Sequence, residues 1–233
     1  MKKELVEAKS TEVAAPINMS EWGDVVVESK DLILPKLLLQ QALSEAVKAR
    51  TANDGDYLNT LTGEAVKEIQ VLPFFCSQHY IVDKFNGKKF EFFKRDPYIP
   101  GEFRQWEENT PEGRFKVTHV YEFFCLVEGC GTPVIVPFKS TSHKAGQQLF
   151  NLMYVQNPPM GKTPAHNWIN LGRKEETSKD GDKYFVMTIA VDKESNAENI
   201  KECFKWLPII KNASFKAAEE KVSPSQPTTE TRF

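Results

Sequence analysis

A hairpin signal at Asn86-Gly87 constrains the fold of this chain more than any other feature of its sequence. The dipeptide separates two runs that are rich in β-branched and aromatic residues. Asparagine and glycine both tolerate the positive φ that a two-residue type I′ turn requires. We therefore predict that a long strand from Glu68 to Lys84 turns at Asn86-Gly87 and pairs with a second strand from Lys88 to Arg95.

The predicted turn sets a register in which alternate side chains share a face. One face, which we expect to be buried, carries Ile81, Phe85, Phe90 and Phe92. The opposite face, which we expect to be open to solvent, carries Tyr80, Lys84, Lys89, Phe93 and Arg95. Exposed aromatic rings beside cations suit base stacking and phosphate neutralisation, although lysine and arginine also commonly shield exposed strands from edge pairing. Nucleic-acid contact is thus predicted on the Tyr80 face, with edge protection as the alternative.

Composition excludes several classes of function. The chain has 233 residues, of which 40% are hydrophobic and 16 are phenylalanine, so it can form a sizeable core. Its net charge is only −2, so contact with nucleic acid must come from a local basic strip. No apolar run approaches the roughly 20 residues of a membrane span, and the first residues lack a hydrophobic signal core. The four cysteines form no dense disulfide framework, so we expect a reducing cytoplasm and no membrane partner.

Polar stretches at both ends frame one predicted domain. Residues 1–30 are dominated by Lys, Glu, Ser and Ala and are predicted to form a flexible N-terminal arm. A single domain is predicted over 31–218, with a long surface loop at 96–114, followed by a disordered tail over 219–233. The loop carries Arg104 and Trp106, and a large aromatic residue in a loop either packs back or binds something.

The remaining strand patterns predict a mainly β (α+β) fold. A short strand is expected within Asp56–Leu61, and two further pairs are Phe115–Val127 with Thr132–Phe138 and Trp168–Arg173 with Lys183–Val191. In the last strand, alternation places Phe185, Met187, Ile189 and Val191 inward. Antiparallel hairpins without βαβ alternation predict an OB-fold-like antiparallel barrel with one inserted helix and a C-terminal helix.

The inserted helix is predicted at Ser142–Gln156, and the last helix opens at the capping box Ser195-Asn-Ala-Glu198 and should kink or end at Pro208. On this last helix we expect Ile200, Cys203, Phe204 and Leu207 to form one apolar stripe. The start of the inserted helix is also a candidate anion site. Ser142 or a neighbouring hydroxyl can cap it, and free backbone N–H groups with Lys139 and Lys144 would favour a phosphate. The alternative is a hydroxyl that only caps the helix.

Cysteine and histidine residues do not form a recognisable metal or catalytic motif. Cys76 and His79 lie three residues apart in a predicted strand and so point to opposite faces, and Cys125 lies in an apolar strand. Buried free cysteines explain this pattern better than zinc ligands, and metal binding stays open. The histidines lack the sequence neighbours of a catalytic triad. We therefore predict no enzymatic activity and no cofactor.

Several segments together resemble a group of tailed-phage single-stranded DNA-binding proteins. The matching segments are Leu34–Gln41, Gly55–Glu64, Val136–Lys144 and the late hairpin Trp168–Val191. The resemblance implies an OB-fold-like core that coats exposed strands without sequence preference and serves replication or recombination. Such proteins often end in an acidic tail that recruits partners. Only one acid lies in the last ten residues of this chain, so the resemblance does not extend to such a tail.

These observations lead to the hypothesis of a non-catalytic, sequence-independent single-stranded DNA-binding protein that supports phage DNA replication and recombination in the cytoplasm of the bacterial host. Its expected partners are single-stranded DNA and phage replication proteins. The side chains expected to contact the nucleic acid are Tyr80, Lys84, Lys89, Phe93, Arg95, Arg104, Trp106, Lys139, Ser142 and Lys144. One alternative is a phage-encoded inhibitor or adaptor that grips a host protein through the Tyr98–Trp106 loop. A less favoured alternative is an accessory factor of a metal-dependent nuclease or ligase.

Overall fold

A computed structural model describes residues 33–102 and 104–219, with side chains as far as Lys211. The predicted arm lies outside the described residues, as does the predicted tail apart from Glu219. The strands within this range are β1 Leu37–Leu39, β2 Tyr57–Asn59, β3 Ala65–Val66, β4 Ile69–Phe85, β5 Phe90–Pro97, β6 Glu107–Thr110, β7 Gly113–Val127, β8 Val134–Lys139, β9 Asn167–Thr177 and β10 Lys183–Glu194. The α-helices are α1 Glu45–Lys48, α2 His143–Asn151 and α3 Ala197–Glu219, and α2 continues as a π-helical stretch over Leu152–Gln156.

The main sheet is built around one antiparallel ribbon of two long strands, β4 and β7. Each ribbon strand shares its outer edge between two partners: β9 and β5 lie along β4, and β8 and β6 lie along β7. β10 extends the sheet beside β9, while β1, β2 and β3 form a small sheet that the bridge Lys36–Ile135 joins to β8. The main sheet curls into an antiparallel half-barrel. The prediction of a mainly β, OB-fold-like core with an inserted helix and a C-terminal helix is confirmed.

Apolar layers cover both sides of the ribbon at the end away from the first hairpin. Phe123 and Leu126 lie three residues apart in β7 and therefore point to opposite faces. Phe123 packs in a layer with Leu149 of α2, and Leu126 packs in a layer with Ile210 of α3. The contacts of the α3 layer with β4 fall at residues 72–75, far along the strand from the hairpin.

The first hairpin forms where the sequence predicts it, with its turn moved by one residue. The N–H of Asn86 donates to the carbonyl of Lys89 over 3.1 Å, so Gly87 and Lys88 are the central residues of the turn. Gly87 has a φ of 91°, a conformation that glycine adopts without steric strain. The hairpin prediction is confirmed, whereas the prediction that Asn86-Gly87 forms its centre is wrong.

The moved turn changes the pairing of β4 with β5. Phe85 pairs with Phe90, two residues away from the predicted register. A shift of two residues keeps side chains on their predicted faces, but a bulge beside Val82 adds one further residue. Beyond the bulge Arg95 pairs with Ile81. The prediction that Arg95 lies on the opposite face from Ile81 is therefore wrong.

The structure reverses the predicted burial of the two hairpin faces. Tyr80 is only 7% exposed, whereas Phe92 on the other face is 59% exposed. The segment after β5 folds back over the Tyr80 face, which we term the covered face. There the Tyr98 ring stacks on His119 with ring centroids 4.8 Å apart, and Arg104 lies over the Tyr80 ring. The prediction that Tyr80 faces solvent is wrong, because a later segment of the chain supplies the cover.

Both predicted long helices form, and the last one extends beyond its proline. The N–H of Asn199 donates to Asn196 Oδ1 over 2.8 Å, so the cap of α3 lies one residue further along than predicted. The helix passes through Pro208 to Glu219, which excludes the alternative that Pro208 ends it. Phe204 is exposed although its spacing predicts a place on the apolar stripe of this helix.

Two further predictions differ from the structure. Val191 at the end of β10 is exposed, although Met187 in the same alternating series is buried. The predicted loop at 96–114 is only partly irregular, because β5 extends to Pro97 and the strand β6 pairs with the start of β7.

Candidate nucleic-acid interface

At the hairpin end of the ribbon, the face opposite Tyr80 carries aromatic and cationic side chains, and we call it the open face. Pairing across three strands defines its members, which are Phe90, Phe92 and Arg95 of β5, Ile81, Asp83 and Phe85 of β4, and Arg114, Lys116 and Thr118 of β7. Phe85 and Phe90 are half-buried, in contrast to the exposed Phe92. Trp106, 53% exposed, borders this face at the β6 edge.

Cations stand directly beside the aromatic rings of the open face. The guanidinium of Arg114 lies 5.7 Å from the ring centre of Phe85 and 5.5 Å from that of Phe90. Lys116 Nζ lies 4.5 Å from the centre of the Trp106 ring. Such contacts contribute only about 0.5–1 kcal/mol at exposed sites, so these cations can exchange them for contacts to a ligand. The open face therefore combines stacking surface with positive charge.

Simple alternation in β7 produces this surface. Phe115 and Val117 point to the covered face and are buried, so Arg114 and Lys116 beside them point to the open face. Arg114 also forms an ion pair with Glu107 at 2.8 Å. Because both partners of that pair are exposed, it contributes little to stability.

A buried carboxylate adjoins the open face, further along the ribbon towards α3. Glu122 Oε1 accepts a hydrogen bond from Lys36 Nζ over 3.3 Å, and Oε2 lies 3.5 Å from Arg95 Nη1. His79 Nδ1 is 3.9 Å from the same carboxylate. Burial lowers the pKa of His79 to about 4 and outweighs the attraction of Glu122, so this imidazole is neutral at pH 7. Lys36 and Arg95 therefore carry the positive charge of this cluster.

Two residues predicted to bind nucleic acid are instead part of the covered face. Tyr80 lies beneath Arg104, whose guanidinium carbon is 5.3 Å from the ring centre. Arg104 donates to Glu108 and to Asp96, each over 2.7 Å, and these hydrogen bonds raise the pKa of the guanidinium. A guanidinium held by two carboxylates has no surplus charge for a phosphate. The geometry therefore gives Tyr80 and Arg104 a structural role in holding the cover in place.

Three more predicted residues lie at the hairpin but away from the open face. Phe93 packs on Phe115 of the covered face with ring centroids 5.5 Å apart, and Lys84 Nζ lies 5.6 Å from the Phe93 ring. Lys89 lies in the turn and forms an exposed ion pair with Glu91 at 3.2 Å. These residues do not join Phe92 in one surface.

The start of α2 does not form one anion site around Ser142. The Ser142 hydroxyl is buried and accepts a hydrogen bond from the N–H of Met187 over 3.0 Å, and it does not cap the helix. Lys139 and Lys144 are both exposed. Lys139 pairs with Val120 at the end of β8, which places it on the open-face side of the sheet, whereas Lys144 lies on α2. The geometry therefore gives no support to a contact between Ser142 and a phosphate, which stays a prediction from the sequence.

Of the predicted residues, the structure brings Arg95, Lys139 and Trp106 to the open face or its border. Sequence reasoning missed Lys36, Arg114 and Lys116 and assigned Phe92 to the core. A usable signal was the alternation of Arg114 and Lys116 with apolar residues at the start of β7. No local signal marks Lys36, because its partner Glu122 is 86 residues away in the chain.

Among the residues that the structure describes, the other titratable groups do not assemble a metal site. Within residues 33–102 and 104–219, no group of three or more His, Cys, Asp or Glu side chains is placed to hold a metal ion. Cys76 and His79 lie on opposite faces of β4, as predicted. His143 Nε2 and His119 Nδ1 are hydrogen-bonded at 2.9 Å, and burial lowers the pKa of His119 to about 4. The two imidazoles therefore bond to each other, and the Tyr98 ring stacks on His119.

Along the part of the chain that the structure describes, no helix has the length and apolar character needed to cross a membrane.

Comparison with known proteins identifies a family for this chain. Neither the curated proteins nor the solved structures contain a match to this chain. A family of phage proteins, described as Pam3 phage gp34-like protein, matches residues 7–206, a range that contains the open face and the Glu122 cluster. The chain therefore belongs to the Pam3 phage gp34-like protein family.

Proposed function

We propose that this phage protein binds single-stranded DNA without sequence preference and supports replication or recombination of phage DNA in the host cytoplasm, without catalysing a reaction. One observation carries the proposal: Phe92 and Trp106 expose ring surface on or beside the sheet face that also carries Arg114 and Lys116, and Lys116 lies directly over the Trp106 ring. Every base has a π-face, so stacking on such rings does not distinguish one sequence from another.

Stacking and charge neutralisation would both contribute to affinity. Each base stacked on an exposed ring contributes about 1–3 kcal/mol. The cations on the open face and its border can neutralise about four phosphates, which corresponds to a slope of about −3 in a plot of log affinity against log salt. Because the whole chain carries a net charge of only −2, this attraction is local and should weaken steeply as salt is added.

A fluorescence anisotropy titration with labelled oligo-dT, repeated between about 50 and about 200 mM salt, tests the proposal. We expect micromolar or tighter binding and the stated salt slope. A duplex of the same length should bind more weakly, because paired bases cannot stack on the open face. Affinity that is millimolar, or that does not change with salt, would show that single-stranded DNA is not the ligand.

The segment after β5 favours a second candidate function, that of an inhibitor or adaptor of a host protein. Ile99 and Trp106 are exposed near its two ends, although Tyr98 packs onto His119. A pull-down from host lysate treated with nuclease separates the two candidates. A stoichiometric host protein that the native chain captures and the variant Ile99→Asp loses, together with no affinity for oligo-dT, would favour this candidate.

A further inference from the structure

We propose that Lys36, Arg95 and Lys139 form a subsite for one backbone phosphodiester of the bound strand, and that the buried Glu122 positions two of these cations. This inference rests on the proposed binding of single-stranded DNA and specifies where one phosphate lies. The ligand class is a singly charged phosphodiester.

Three distant segments of the chain converge at this subsite. Lys36 precedes β1, Arg95 lies in β5, and Lys139 ends β8. Lys36 and Arg95 both meet the carboxylate of Glu122, at 3.3 Å and 3.5 Å, although they come from distant segments of the chain. Lys139 pairs with Val120, which lies two residues from Glu122 on the same face of β7. The convergence is tertiary, which is why no sequence motif marks it.

Burial differs sharply between the carboxylate and its cations. The side chain of Glu122 is 9% exposed, whereas those of Lys36 and Arg95 are each 40% exposed. Glu122 is held in the middle of β7, which pairs with β4 on one side and with β8 on the other. The carboxylate therefore stays in place while both cations remain accessible to a ligand from solution.

The Glu122 cluster carries one surplus positive charge, which one further anion would balance. Two cations face one carboxylate, and His79 adds no charge because it is neutral at pH 7. One phosphodiester would balance the surplus charge of Lys36 and Arg95, and Lys139 adds attraction from the neighbouring strand. Because Glu122 already restricts the rotamers of Lys36 and Arg95, binding a phosphate orders these side chains at a smaller entropic cost.

The subsite lies within reach of the aromatic part of the open face. Arg95 pairs with Ile81, and Phe85 lies four residues further along β4. Four residues of strand span about 13 Å, so one strand of a few nucleotides can place a phosphate at Arg95 and bases beside the Phe85–Phe90 pair. The subsite and the rings would therefore engage the same ligand.

The test compares how a single neutral position in the DNA backbone changes the affinity of the native chain and of a variant. A set of oligo-dT strands, each no longer than one binding site so that the strand cannot shift its register, carries one uncharged methylphosphonate at successive positions, and each is titrated against the native chain and against Lys36→Gln/Arg95→Gln. We expect one position to weaken binding to the native chain about tenfold and to have little effect on the double variant. The salt slope of the double variant should also decrease by about 0.7, the value for one phosphate on a single strand.

Two controls keep the result interpretable. Lys183→Gln/Lys205→Gln removes the same charge from cations whose carboxylate partners lie elsewhere and are far less buried than Glu122, and it should leave the methylphosphonate pattern unchanged. If the double variant does not fold because Glu122 is left unpaired, Lys36→Gln/Arg95→Gln/Glu122→Gln removes that buried charge and takes its place. A native chain that binds oligo-dT but shows no position whose effect disappears in the variant would overturn the subsite and leave the proposed function standing. No binding of oligo-dT by the native chain would overturn both.

Discussion

The exposure of Phe92 predicts that its role in binding can be separated from any role in folding. Phe92 is 59% exposed in the folded chain, so unfolding exposes only about two fifths more of this residue to water. Since burying a whole phenylalanine side chain contributes roughly 1.5–3 kcal/mol, we expect Phe92→Ala to lower the free energy of unfolding by about 1 kcal/mol. If one base stacks on this ring, the same change should cost about 1–3 kcal/mol of affinity for oligo-dT, or about 5- to 150-fold.

The chain offers a matched control for this experiment. Phe204 is 60% exposed and projects from α3 rather than from the sheet. Phe204→Ala should therefore cost a similar amount of stability and leave the affinity for oligo-dT unchanged. Urea denaturation measures the first quantity, and fluorescence anisotropy at one fixed salt concentration measures the second.

The outcome that refutes the reasoning is specific. If Phe92→Ala and Phe204→Ala reduce affinity equally, or if neither does, Phe92 does not stack a base. If Phe92→Ala costs more than about 3 kcal/mol of stability, the residue behaves as a buried core position, and the assignment of the two hairpin faces is wrong.

Three further predictions concern stability. Phe123→Ala should cost about 3–5 kcal/mol in urea denaturation, because this fully buried ring would leave a cavity; a cost below about 1 kcal/mol would contradict its place in the core. The pKa of His79 lies near 4 in the folded state against 6.5 in the unfolded chain, so the unfolded chain binds more protons between these values, and stability should decrease as pH falls from 6.5 to 4. His79→Gln should remove about 3 kcal/mol of that dependence, and identical pH profiles for the native and variant chains would refute the assignment. Gly146→Ala should be destabilising by about 1–3 kcal/mol, because an added Cβ would lie 2.6 Å from Phe138 Cβ, whereas Gly131→Ala meets no atom within 4 Å and should be near neutral by thermal denaturation.

The sequence by itself determined the elements and their local partners. The turn signal at Asn86-Gly87 predicted the first hairpin, and the apolar spacing in 142–156 predicted the inserted helix, because both depend on residues close together in the chain. Alternation also determined which side chains share a face, and it grouped Phe85, Phe90 and Phe92 correctly. These properties follow from the two-residue period of a strand and need no tertiary structure.

Tertiary structure alone decided which of those faces meets solvent. Tyr80 is buried because Arg104 and Tyr98 fold back over it from a later segment, and the pattern of β4 is the same whether or not that cover forms. The bulge beside Val82 likewise moved Arg95 to the face of Ile81. Lys36 and Glu122 meet across 86 residues, a contact that depends on how β1 docks beside β8. The sequence therefore predicts the strands and the turn that carry most of the candidate site. The assembly of these residues into one surface depends on the packing of distant segments.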